Sequence, residues 1–132
     1  MSLSPKKIVR TFYEADLVHN EQILVDYLHP EVTLNWNSSF GYLQKDKDEI
    51  IELLKGMKGA YEFSRNKISH IISQKNTVCV RYTLFAKAIE RSKEDALAHF
   101  MCIWELKDDK LYKGFLISQQ ADISLENMWT FL

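Results

Sequence analysis

A chain of 132 residues is one domain by length and can bury a core of its own. Hydrophobic residues at 46%, with two prolines and four glycines, make a globular composition rather than a disordered or fibrous one. The 17 basic and 18 acidic residues are spread along the chain and leave a formal charge of −1, against the clustered basic face of a nucleic-acid binder. No apolar run approaches the ~18 residues of a membrane span, and the N-terminus lacks the apolar stretch of a secretory signal. The expectation is a cytoplasmic protein without membrane association.

Ser4-Pro5 predicts a helix start, with a serine hydroxyl for the first free amides and proline at the first helical position. Ile8, Phe12, Ala15 and His19 then recur at three- and four-residue steps, with Val9 and Asp16 beside them. Asn20 caps a second, shorter helix carrying Ile23, Leu24, Tyr27 and Leu28, stopped by Pro30. Val32 to Trp36 is the first strand, and Asn37-Ser38-Ser39 with Gly41 reads as a turn into a short returning strand. Asp46 with Glu49 three residues on resembles a capping box, opening a third helix with Ile50, Ile51, Leu53, Leu54 and Met57.

From residue 65 the period changes to two. Strands are predicted near 66–74, 77–89, 97–107 and 110–120, separated by turn residues. In the third of these, Ala98, Phe100, Cys102, Trp104 and Leu106 form one face, and Leu97, His99, Met101 and Ile103 the other. A strand apolar on both faces is covered on both sides. One face can line a cup closed by the helices; the chain offers no spare helix for the other, so a second subunit is the expected cover. Cys79 and Cys102 lie in strand patterns without metal spacing and read as free thiols.

Helix, helix, strand, helix, then four long antiparallel strands is an order that resembles the nuclear-transport-factor-2-like, cystatin-like cone. Within it, the chain is similar to SnoaL-like and ketosteroid-isomerase-like small domains. The resemblance rests on Phe12-Tyr13-Glu14-Ala15, Leu28 to Trp36, the helix at 46–57 and the hairpin Trp104 to Leu111, and spans about residues 5–120. It implies an α+β domain over residues 1–132. Three N-terminal helices would close a strongly curved, mixed and mainly antiparallel sheet around an internal pocket. For ketosteroid isomerases it implies a tyrosine donor, an aspartate base and a second acid. Aligned here, those positions hold Phe12, Trp36 and Cys102, none of which takes a proton from carbon. In SnoaL-like cyclases an acid near the end of the last strand does the work; the matching stretch here is Ser118-Gln119-Gln120, and glutamine orients a carbonyl without exchanging protons.

Phe12, Trp36 and Trp104 share inward parity and are expected as aromatic walls, with Cys102 and Gln119 beside a ligand. Trp36 reads equally as core. Arg81 and Tyr82 lie on opposite faces of one strand: Tyr82 inward gives the cup a hydroxyl, and Arg81 inward suggests an anionic ligand. Asp16, one turn after Phe12, is a candidate base if half-buried among apolar groups, which would raise its pKa; otherwise it is exposed or paired with an arginine. His70 alternates with Ile68 and Ile72 and is the second acid–base candidate, whereas His99 falls on the side of the subunit contact. The four histidines have no metal-ligand spacing, so neither metal nor cofactor is expected. The leading expectation is a homodimer binding a small apolar or aromatic metabolite. The alternatives are an isomerase- or cyclase-type enzyme using Asp16 or His70, and a protein-interaction module without catalysis.

Overall fold

The computed structural model describes residues 3–122 and 125–131. In chain order it holds α1 (Pro5–Glu14), α2 (Glu21–Tyr27), β1 (Leu28–Ser38), β2 (Gly41–Lys45), α3 (Lys47–Lys58), β3 (Tyr61–Gln74), β4 (Thr77–Ala88), β5 (Asp95–Lys107) and β6 (Lys110–Gln120). A short helix α4 (Leu125–Met128) and a 3₁₀ turn (Trp129–Phe131) follow. The six strands make one sheet in the order β2-β1-β6-β5-β4-β3. Only β1 and β6 run parallel; every other neighbouring pair is antiparallel. This is the mixed, curled α+β sheet that the sequence predicts, with three helices across its concave side.

Two of the three expected caps form; the Asn20 side chain does not cap α2 and instead donates to the Asp16 carbonyl at 2.8 Å. Ser4 accepts from the Lys7 amide at 3.2 Å, and Asp46 and Glu49 satisfy each other's amides at 2.9 and 3.0 Å. Three elements differ from the sequence reading, one of them β3, which begins at Tyr61, ahead of the strand predicted near 66–74. The first helix stops at Glu14 rather than running to His19, because Asp16 offers its carboxylate to the Val18 and His19 amides, a local alternative to helical hydrogen bonding. The first strand begins at Leu28, so Pro30 lies inside it, where the ladder to β6 breaks register between Leu28 and Thr33.

The core lies between α1, α2, α3 and the concave face. Ile8, Val9, Phe12 and Tyr13 descend from α1 onto Val78, Val80 and Tyr82 of β4, Cys102 and Trp104 of β5, Leu116 of β6 and Leu34 of β1, all buried. On the convex face Ile72, Met101, Ile103, Phe115 and Ile117 are exposed. Beside them the chain supplies a cover that its sequence pattern did not announce. The C-terminal turn stacks the Phe131 ring on buried His99, with centroids 3.7 Å apart. Among the described residues no helix is long and apolar enough to cross a membrane.

Candidate functional site

Ring packing fills the interior of the cone. Phe12 meets Tyr13 edge-on at 5.0 Å and leans on Tyr27 at 6.2 Å. Tyr13 lies 4.3 Å from Tyr82, and Tyr82 stacks on Phe100 at 5.0 Å. Phe100 pairs in register with Ser118, whose hydroxyl accepts the Trp36 indole N–H at 2.7 Å. Trp36, Phe100 and Ser118 are half-buried, so the run of rings leads from the rim at the C-terminal ends of β1 and β6 to the fully enclosed tyrosines. The apolar pocket expected between helices and sheet is therefore occupied by side chains. Open cavities of about 420 Å³ and 190 Å³ lie elsewhere, the first on the convex face and the second beside Leu3, Ile8, Asp26, Tyr27 and Asp109.

At the deep end the polar atoms are linked. The Trp104 indole donates to the Tyr13 hydroxyl at 2.8 Å, and the Tyr13 ring lies against Tyr82. Burial raises the Tyr13 pKa well above its ordinary value, and the nearby Tyr82 adds to the rise. Tyr82 is raised by burial and then by Cys102, and the Cys102 thiol is pushed up by burial. All three groups keep their protons at neutral pH. The interior thus presents hydrogen-bond donors on an apolar wall and no group there that exchanges protons near neutrality.

The other site candidates fall into two groups. Phe12, Trp36, Tyr82, Cys102 and Trp104 converge on the interior, and the Arg81/Tyr82 alternative resolves with Tyr82 inward. His70 and Gln119 do not join them. A β-bulge at Ser69 shifts the register, so Ile68 pairs with Tyr82 on the concave side while His70 pairs with Arg81 on the convex side. Strict alternation cannot foresee one inserted residue. Gln119 pairs with His99 and is exposed on the convex face, whereas Ser118 faces in.

Asp16 is half-buried, but its surroundings are polar. Its carboxylate accepts the Ser64 hydroxyl at 2.6 Å, the Ser64 amide at 3.0 Å and the two amides of its own turn, and lies 2.9 Å from His19 Nδ1. Burial pushes its pKa up. The Ser64 hydroxyl and amide, followed by His19, outweigh that effect and hold the carboxyl below its ordinary value. This is opposite in direction to the rise expected for a base among apolar groups, and the partners are Ser64 and His19 rather than an arginine. Tyr13 is the interior residue that reading by alignment passed over. The signal was present: Ile8, Val9, Phe12 and Tyr13 form a two-residue-wide helical stripe, of which only one edge was followed.

A family model of the SnoaL-like domain matches residues 9–113. The chain belongs to the SnoaL-like domain family. Solved structures agree on the fold. IdmH from Streptomyces antibioticus, named as a candidate polyketide cyclase, superposes with a TM-score of 0.72 at 12% identity, covering 88% of this chain and 92% of that one. An epoxide hydrolase of the LEH-like type from M. tuberculosis gives 0.68 at 14% identity, covering 95% and 86%. TerC, co-crystallised with polyporic acid, gives 0.62 at 20% identity, covering 86% and 91%. No curated protein matches the chain in sequence. At these identities the likeness is one of fold, and SnoaL-like domains serve both chemistry and binding.

Proposed function

We propose that this SnoaL-like domain binds a small, neutral, mostly aromatic molecule bearing a carbonyl or similar acceptor, and orients it without proton transfer. The observation that carries this reading is the buried pair of phenols, Tyr13 holding the Trp104 indole N–H and Tyr82 packed against it among apolar rings, both of which keep their protons. Tyr82 keeps its proton and can donate its O–H to the ligand. A hydrogen bond to such a donor is stronger in a low-dielectric site than in water. Entry runs past Trp36 and Ser118, with the half-buried Phe100 ring swinging off Tyr82 to make room. A charged ligand finds no counter-charge inside and is disfavoured.

The test compares 2-acetylnaphthalene with 2-ethylnaphthalene, which keeps the rings and lacks the carbonyl. Calorimetry should show the ketone bound about tenfold more tightly, the worth of one buried hydrogen bond. Tyr82→Phe should erase that preference with little change in the urea midpoint, and Trp36→Ala should weaken both ligands alike. A preference that persists in Tyr82→Phe sinks the assignment, as does the lack of binding of either compound at millimolar concentration.

We also infer a homodimer through the bare part of the convex face. Ile72, Met101, Ile103, Phe115 and Ile117 are 43–66% exposed on adjoining strands, an apolar patch of the kind that marks an interface. Sedimentation at micromolar concentration should give a dimer, and Ile117→Lys should dissociate it. A wild-type monomer under those conditions would remove the reading.

A further inference from the structure

The C-terminal turn is held on the convex face by two residues and stands over an anomaly. Arg81 donates to the Thr130 carbonyl at 3.1 Å and to its hydroxyl at 3.0 Å, and its guanidinium lies 3.9 Å above the Phe131 ring. The Phe131 ring stacks on the His99 imidazole, only 12° from parallel. His99 is 6% exposed; its Nδ1 lies 2.8 Å from the Thr83 hydroxyl, and its Nε2 is buried without a hydrogen-bond partner among the described residues. An orphaned polar atom of this kind is rare in a native interior and calls for an account.

We propose that residues 125–131 form an acid-released strap, with His99 beneath it as the release group, and that the strap gates the convex groove containing Cys79. That groove, about 420 Å³ in volume, is lined by His70, Ile72, Cys79, Arg81, Met101 and Thr130, so a strap residue forms one wall. A neutral imidazole tolerates the stack on Phe131. A protonated one requires a partner for Nε2, and the described side chains of the closed strap supply none.

The surroundings oppose the charged form from each side. From β4 come the Thr83 hydroxyl and the Arg81 cation; from β6 the register partner is neutral Gln119; from the strap come the Phe131 ring and Thr130. His70, opposite Arg81 on β3, is exposed, as is the strap's own carboxylate at Glu126. Burial and then Arg81 lower the His99 pKa. The closed strap therefore binds the proton more weakly than the open one. Its closure is fully favoured above the ordinary histidine value of about 6.5 and is lost as pH falls through that value toward the lowered one. Opening would free His99 for water and bare the groove at Cys79, which lies in register between Ile72 and Ile103 on the face assigned above to a second copy.

Cys79 reports on this directly, since it is half-buried at the groove while Cys102 is enclosed. The experiment measures its reaction rate with 4,4′-dithiodipyridine in the Ile117→Lys chain, where no second copy covers the groove, from about pH 8 to about pH 5, divided by the rate in the same chain carrying His99→Gln at the same pH so that the thiolate fraction cancels. Cys79→Ser should abolish the signal. The ratio should be near one at the alkaline end and rise roughly tenfold at the acid end, as the strap population shifts. Phe131→Ala should speed the reaction at every pH and flatten the dependence. A ratio that stays at one, or a Phe131→Ala variant whose Cys79 reacts no faster than wild type, overturns the strap. Should His99→Gln fail to fold, the Phe131→Ala comparison decides alone.

Discussion

Trp104→Ala should lower the unfolding free energy by about 4 kcal/mol, the cost of removing a fully packed tryptophan from a core. The ring is 3% exposed and lies across Gly114, its register partner on β6. A Cβ on Gly114 would sit 2.8 Å from two atoms of that ring and 2.8 Å from the Leu34 methyl, so glycine is required there by close approach. The indole cannot easily yield, because its N–H is fixed on the Tyr13 hydroxyl. Gly114→Ala should therefore cost about 2 kcal/mol by overpacking. In the Trp104→Ala background the same change should cost much less, since the ring is gone and only the Leu34 methyl, the end of a flexible side chain, has to move. Urea denaturation of the four chains in this cycle checks the coupling. Simple addition of the two losses would mean that ring and glycine are not in contact.

That pair also shows what the sequence could and could not convey. Inward parity of Trp104 follows from alternation with Phe100 and Cys102, and burial agrees. Gly114 was not distinguishable from any other glycine in a strand, because its reason is a ring arriving from the neighbouring strand. The same limit applies at His70, where one bulged residue reverses the face, and at Asp16, where side-chain capping ends a helix that apolar periodicity would have continued. Order, direction and cap chemistry were legible since they depend on residues within a few positions. What the interior holds was less so: the sequence names Phe12, Trp36 and Trp104 as walls and leaves Tyr82 or Arg81 open, but whether walls enclose space or meet depends on the curl of the sheet. Here the rings meet, and the linked Trp104, Tyr13 and Tyr82 draw on three separate elements.

Replacing Asp16 by Ala should destabilise the fold by about 3 kcal/mol, because it strands several groups at once. The Ser64 hydroxyl and amide and the two amides of the turn after α1 all lose their acceptor, and His19, whose Nε2 reaches the Tyr61 carbonyl at 3.0 Å, loses its anchor. The carboxylate thus fastens the end of α1 to the start of β3 and sets how the first helix lies across the sheet, with Tyr13 at its inner end. The pH dependence has a definite sign. A carboxyl whose pKa is lower in the folded chain adds stability above its unfolded value of about 3.9, and that contribution fades as pH falls through the lowered folded value. The gap between wild type and Asp16→Asn should accordingly be constant at neutral pH and narrow in acid. Urea midpoints of both chains, followed from about pH 7 to about pH 3, measure it. A gap that widened in acid would mean that Asp16 is protonated in the folded chain, as a base buried among apolar groups would be.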